Sequence, residues 1–127
     1  MNQQCPKCKV LSFEEFKSLE GVFDMITCFN VLSAIPCEQT IDITLAKFKR
    51  LIRDDGRLVV VNQHRNSYFK TFKEGAEHLY GHISSKGSYH TYYGIMDRET
   101  VSRLLRQKGF EVINSWNEGE RNFVIGN

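Results

Sequence analysis

The feature that most constrains the fold of this chain is a direct succession of an apolar, an amphipathic and a second apolar segment. Residues 22–32 form a mostly apolar run, and residues 57–62 read RLVVVN. Their length and β-branched content predict strands that are covered on both faces. Residues 38–53 carry apolar side chains at spacings of four, three and four, which predicts a helix with one buried stripe. That stripe consists of Ile41, Leu45, Phe48 and Ile52. Two such strands joined by a helix are parallel, so the sequence predicts a right-handed βαβ unit.

The remainder of the chain adds an aromatic segment, a helix and a hairpin. Residues 63–95 are polar, aromatic and rich in glycine, and we expect one irregular helix around residues 68–80, followed by a loop. Asp97 is placed to cap a helix over residues 98–108, and Gly109 follows its end. Residues 110–116 and 122–125 read as strands joined by a turn. The prediction is an α/β fold with parallel core strands, a C-terminal antiparallel hairpin and helices on the sheet faces.

Composition bounds the size and class of the protein. A chain of 127 residues, 41% of them hydrophobic, is expected to form one domain over residues 1–127, with an irregular segment at 1–21 and a core at 22–127. The formal net charge of +2 gives no indication of nucleic acid or of an anionic membrane as a partner. No apolar run approaches the roughly 20 residues of a membrane span. We therefore expect a cytoplasmic protein.

The cysteines and histidines do not form a metal-binding pattern. Cys5 and Cys8 make a CxxC pair, but no second pair follows at a zinc-like spacing. We predict no metal site and ordinary reduced thiols, while a zinc knuckle completed by a histidine or by another chain remains an alternative. The histidines of the aromatic segment have no common period and are predicted to lie scattered on the surface; they are His78, His82 and His90.

Candidate site residues lie at the carboxyl ends of the two core strands, where open α/β sheets bind their ligands. Cys28, Phe29, Asn30 and Ser33 follow from the first strand, and Asn62, Gln63, His64, Arg65 and Asn66 from the second. An imidazole beside a guanidinium is able to orient or deprotonate a substrate, although a solvated loop also explains the pair His64 and Arg65. A local turn or cap explains Asn30 equally well.

Several segments together resemble a known family. They are Phe23-Asp24, VLSAIP at 31–36, FKRLIRDDGRLVVV at 48–61 and LLRQKGFEVI at 104–113. In this order, over about residues 22–125, they resemble the second half of a class I S-adenosylmethionine-dependent methyltransferase. The resemblance implies a partial Rossmann-like fold, methyl transfer as the activity and S-adenosylmethionine as the cofactor.

The resemblance also implies roles for individual residues. The loop after the first strand would face the methionine end of the cofactor and the methyl acceptor, and the tyrosine-rich segment would form a lid over the substrate. The implied cofactor-binding residues are Cys28, Phe29, Asn30 and Ser33. The implied catalytic residues are Asn30, His64 and Arg65. The implied substrate-binding residues are Asn62, Asn66, Tyr68, Tyr92 and Tyr93.

The sequence departs from the family pattern before residue 22. Family members begin with a glycine-rich strand and loop and a strand ending in an acidic residue, and neither is present, since Gly21 stands alone. We therefore expect weak or no binding of S-adenosylmethionine by this chain alone, which would be a fragment, a degenerate relative or one part of a split enzyme. The alternative is a non-catalytic assembly module that keeps half of the fold.

The same departure predicts an unpaired strand. Residues 23–28 would lose one neighbour, and apolar surface would be exposed on both faces of the sheet. We expect a homo-oligomer through this edge, or a companion chain that covers it. The competing outcome is that residues 8–12, which have room to form a strand, fold back and cover the edge within one chain.

Overall fold

The computed structural model describes residues 7–63 and 75–127. The elements in chain order are α1 (Phe13–Ser18), β1 (Phe23–Phe29), a 3₁₀ turn (Leu32–Ala34), α2 (Glu38–Leu51), β2 (Ile52–Gln63), β3 (Ala76–His78), β4 (Gly81–Lys86), β5 (Tyr89–Gly94), α3 (Arg98–Gln107), β6 (Val112–Glu118) and β7 (Arg121–Gly126). None of the helices in these two ranges is long and apolar enough to cross a membrane.

The main sheet has the strand order β1-β2-β7-β6. β1 pairs with β2 in parallel, and β7 pairs antiparallel with both β2 and β6. The predicted βαβ unit, the late helix and the C-terminal hairpin are therefore confirmed. Asp97 caps α3 as predicted, because its carboxylate accepts a hydrogen bond of 2.8 Å from the backbone N–H of Thr100.

The second core strand starts earlier than the sequence indicates. Ile52 already pairs with Phe23, and the next pair joins Met25 to Arg57, so residues 53–56 form a bulge within β2. Gly56 is buried in this bulge, where an added Cβ would come within 2.9 Å of the carbonyl oxygen of Asp24. Gly56 thus permits a close approach of two backbones.

A second sheet replaces the irregular helix and loop expected in the aromatic segment. β3, β4 and β5 form an antiparallel sheet in that order, so the prediction is wrong for residues 76–94, while residues 64–74 lie outside the described part of the chain. Gly81 permits the close pairing of β4 with β5, because an added Cβ would overlap the carbonyl oxygen of Tyr93. Gly87, at a φ of 60°, forms the turn of this hairpin.

The hydrophobic core lies on one face of the main sheet. Cys28, Val60 and Val124 are neighbours on β1, β2 and β7, and all three are buried. α2 and α3 cover them and complete one core cluster, to which these helices contribute Ile41, Leu45, Val101, Leu104 and Leu105. The two helices also contact each other through an ion pair of 3.4 Å between Lys108 and Asp42.

The opposite face of the main sheet, which we call the open face, carries exposed apolar side chains. Met25 and Phe29 of β1 are 60% and 57% exposed. Farther along the face, Trp116 stacks on Phe123 with ring centroids 4.9 Å apart. The expectation of exposed apolar surface on both faces is wrong, because α2 and α3 occupy the core face.

β1 is an edge strand. Within residues 7–63 and 75–127, β2 is the strand that pairs with it, and residues 8–12 form no strand in either sheet. The competing expectation that residues 8–12 cover the edge is therefore wrong. Ser12 instead starts α1 through a capping box, in which its hydroxyl accepts from the N–H of Glu15 and its own N–H donates to the Glu15 carboxylate.

Candidate functional site

Asn30 ties together the carboxyl ends of the two parallel strands. Its backbone N–H donates a hydrogen bond of 2.7 Å to the carbonyl oxygen of Val61, and its side-chain oxygen accepts one of 3.2 Å from the N–H of Gln63. Its φ of 56° is a left-handed conformation that asparagine tolerates better than most residues. Asn30 is thus a turn residue, and its exposed side-chain amide nitrogen remains oriented as a donor at this end of the sheet.

The other residues implied for the cofactor lie on different sides of β1. Phe29 projects from the open face, whereas Cys28 points into the core and is only 1% exposed. Burial raises the pKa of the Cys28 thiol to about 12, so this side chain is a neutral packing group at physiological pH. Ser33 is buried in the 3₁₀ turn that follows β1.

A buried pair of asparagines lies at the carboxyl end of β2. Asn62 and Asn122 face each other across β2 and β7, and both are fully buried. The side-chain nitrogen of Asn122 donates a hydrogen bond of 2.7 Å to the carbonyl oxygen of Met96. Within residues 7–63 and 75–127, its oxygen and both polar atoms of the Asn62 amide have no hydrogen-bond partner. Asn122 was not a sequence candidate, because its pairing with Asn62 depends on the register of strands that lie far apart in sequence.

The small sheet packs over the loop that follows β1. The His78 ring hydrogen-bonds the carbonyl oxygen of Pro36 and packs edge-on against Tyr92, with ring centroids 5.7 Å apart. Partial burial raises the pKa of the Tyr92 hydroxyl, which accepts a hydrogen bond of 3.2 Å from the N–H of Tyr80. Gly94 of β5 lies so close to Ser33 that an added Cβ would be 3.0 Å from its carbonyl oxygen.

Four of the sequence candidates lie outside the described residues: His64, Arg65, Asn66 and Tyr68. Of the remaining candidates, Asn30, Asn62 and Ser33 belong to the carboxyl ends of β1 and β2 or to the loop after β1, and Tyr92 belongs to the sheet that covers this loop. Tyr93 is half-buried on β5, where it pairs with His82. Residues 7–63 and 75–127 contain no group of three His, Cys, Asp or Glu side chains placed to bind a metal ion.

The described residues do not fit the whole of an S-adenosylmethionine molecule. The loop that follows β1 contains neither a glycine nor an acidic residue, from Asn30 to Pro36. Gly21 precedes β1 and therefore lies at its amino end, away from the edge where Asn30 and Asn62 are found. A cradle for the methionine part and a carboxylate for the ribose hydroxyls are thus lacking at this edge among the described residues.

Comparisons with known proteins agree with this architecture. A model of the family described as methyltransferase domain matches residues 2–115. An uncharacterized Escherichia coli K12 protein, YmfD, is 38% identical over 114 residues, which are 90% of this chain and 52% of the relative. The chain thus spans about half the length of the curated relative that it matches.

Solved structures show the same fold at low sequence identity. An S-adenosylmethionine-dependent methyltransferase from Clostridium acetobutylicum superposes with a TM-score of 0.66 at 9% identity, covering 99% of this chain and 67% of that protein. A methyltransferase from Bacteroides fragilis, solved with S-adenosyl-L-homocysteine, gives 0.58 at 19% identity, covering 86% and 49%. The chain has the Rossmann-like methyltransferase fold, and with residues 2–115 matched it belongs to the methyltransferase domain family.

Proposed function

We propose that this chain is the acceptor-side half of an S-adenosylmethionine-dependent methyltransferase, and that it transfers a methyl group only when a cofactor-binding half is supplied. That half would come from residues joined to this chain or from a separate companion chain. The observation that carries the proposal is the position of β1. Its carboxyl end bears the exposed Phe29 and Asn30, yet it is the edge strand of the main sheet in the described residues.

The cofactor would supply an electrophilic methyl group, and the residues of this chain would bind and orient the acceptor. Asn30 is suited to donate a hydrogen bond from its amide nitrogen, because its oxygen is already held by Gln63. We assign general-base or orienting roles to His64 and Arg65, which follow β2 in the sequence. Asn62 is assigned to substrate binding.

The exposed surfaces indicate what kind of unit completes the site. A second copy that paired edge to edge with β1 would satisfy its backbone groups but would leave the open face uncovered in both copies. A second copy that packed face to face would leave the β1 edge unpaired. A unit that contains a strand followed by an amphipathic helix covers the edge and the open face together. We therefore favour a strand–helix partner, with association of two copies through β1 when that partner is absent.

Titration calorimetry with S-adenosylmethionine tests the proposal. The chain alone should bind the cofactor with a Kd of about 1 mM or weaker, which corresponds to about −4 kcal/mol. Micromolar binding would show that this chain contains a complete cofactor site. If a companion restores turnover, replacing Asn30, His64 or Arg65 by alanine should lower kcat. Asn30→Ala should also lower the thermal unfolding temperature, because it removes the hydrogen bond from Gln63 and places alanine at a φ of 56°. Unchanged turnover in all three variants would contradict the assigned site.

A non-catalytic assembly module is the second candidate. The lack of a cofactor cradle among the described residues favours it, as do the exposed side chains of Met25 and Phe29 at the β1 edge. The enzyme and the assembly module predict different cofactor binding once a strand–helix companion has been bound. A complex that binds S-adenosylmethionine supports the enzyme, and a stable complex that does not bind it supports the module.

A further inference from the structure

An apolar groove lies between α1 and α2 and opens toward the loop that follows β1. Its volume is about 510 Å³, which is within the range of small-molecule sites. Two elements and one loop line it. The apolar lining residues are Leu11, Phe13, Phe16, Val31, Ile35 and Phe48. Two of these lining side chains, Phe16 and Phe48, pack edge to face with ring centroids 5.7 Å apart.

The polar side chains of the groove are already engaged within the protein. The hydroxyl of Ser12 accepts the N–H of Glu15 as the cap of α1, and the hydroxyl of Thr44 donates a hydrogen bond of 2.7 Å to the carbonyl oxygen of Thr40. None of the described residues that line the groove carries a charge. A charged ligand would lose its hydration here without gaining a partner, so the lining selects an uncharged apolar group.

The groove is continuous with the candidate site. Val31, which lines it and is 42% exposed, directly follows Asn30 in the chain. A molecule seated against Val31 and Ile35 would therefore reach the carboxyl end of β1 with its nearer end.

We propose that this groove binds the apolar body of the methyl acceptor, an uncharged aromatic or hydrocarbon group, and places its polar nucleophile beside Asn30. The term acceptor rests on the proposed function, whereas the binding of an apolar ligand does not. The substrate class is accordingly a small hydrophobic molecule with one polar end, and not a nucleic acid, an anionic metabolite or a protein side chain on a folded surface.

Fluorescence titration with the neutral dye N-phenyl-1-naphthylamine tests the groove in the absence of cofactor. We expect saturable binding at one site per chain. Val31→Asp and Phe13→Asp place a charge in the lining at partly exposed positions and should each weaken binding at least about tenfold. Ile43→Asp is the matched control, because Ile43 lies on α2 at 50% exposure but does not line the groove. It should bind the dye like the parent protein, and circular dichroism should show that all three variants are folded.

Other outcomes overturn the proposal. Absence of saturable binding, or equal loss in the groove variants and in Ile43→Asp, would show that the dye recognises exposed apolar surface in general. The result is independent of the cofactor titration. If the dye binds at the groove but no complex binds S-adenosylmethionine, the apolar site stands and the methyltransferase proposal is rejected. If a companion restores turnover but the dye does not bind, only the groove proposal is rejected.

Discussion

Replacing Asn62 by leucine should stabilise the protein, whereas the same change at Asn122, directly opposite, should not. Both residues are fully buried, and they differ in their hydrogen bonds. In the described part of the chain the Asn62 amide has two unpaired polar atoms, while the Asn122 nitrogen donates to the Met96 carbonyl oxygen. A buried polar group without a partner costs roughly 1–3 kcal/mol relative to its hydrated state. Leucine has the same number and branching of side-chain heavy atoms and no polar atoms, so Asn62→Leu should raise the free energy of unfolding by about 1–3 kcal/mol where the core admits its larger methyl groups.

The change at Asn122 has two opposing effects. Asn122→Leu removes one unpaired oxygen, but it also leaves the carbonyl oxygen of the buried Met96 without the donor that lies 2.7 Å away. Each of these effects is worth about 1–3 kcal/mol, so the sum should be near zero or destabilising. The two leucine variants should therefore differ by about 2 kcal/mol, although each is a single asparagine replacement in the same row of the sheet.

Urea unfolding at pH 7 followed by circular dichroism measures this difference. With an m value of about 2 kcal/mol/M, the midpoints of the two variants should lie about 1 M apart, with unchanged slopes. A loss of 1 kcal/mol or more in Asn62→Leu would refute the reasoning, since it would show that the amide has partners in solution. The same variant reports on function, because a stabilised protein that lost acceptor binding would place Asn62 in the site.

Two further predictions concern β1. Because burial raises the pKa of the Cys28 thiol from 9.0 to about 12, the thiol ionises first in the unfolded chain, and stability should fall as pH rises above about 9. At pH 10 the free energy of unfolding should have fallen by about 1.4 kcal/mol more than in Cys28→Val, as measured by urea unfolding. If stability depends on pH in the same way in both proteins, the raised pKa of the Cys28 thiol is contradicted. Light scattering at low micromolar concentration should show an oligomer of the isolated chain that Thr27→Lys converts to a monomer, because a lysine on β1 opposes pairing through that edge. Ile113→Lys should leave the oligomer intact, because Ile113 lies on β6 at the other edge of the sheet. A monomeric parent protein would reject association through β1.

Regular periodicity allowed the sequence to predict most of the main sheet. The apolar stripe of α2, the cap at Asp97 and the hairpin between β6 and β7 are local patterns, and each is found where it was expected. The aromatic segment misled the prediction because its strands, AEH, GHISSK and YHTYYG, show no regular alternation of apolar and polar residues. The turn at Gly87 and Ser88 was a hairpin signal that the glycine-rich composition obscured.

The candidate site was predicted less completely because it depends on contacts between distant segments. Asn30 and Asn62 could be proposed, since each follows an apolar run that reads as a strand. The position of Asn122 follows from strand register, and the role of His78 follows from a contact with Pro36 that is 42 residues away in sequence. His78 had been predicted to be one of several scattered surface histidines, and it is exposed, but its ring also anchors the small sheet to the loop after β1.

The distribution of polar groups along the core face supports the proposal that the carboxyl end of the sheet binds a ligand. One row of neighbours across β1, β2 and β7 consists of Cys28, Val60 and Val124, which are all buried and apolar. The next row toward the carboxyl end of β2 contains Asn62 and Asn122 in equally buried positions, where apolar side chains would pack without unpaired atoms. The same helices and the same sheet could have accommodated a third apolar row. Among the described residues, this polar row with unpaired atoms lies at the end of the sheet where Asn30 and the covering loop are found, which supports the proposed binding of a ligand with hydrogen-bonding groups at that end.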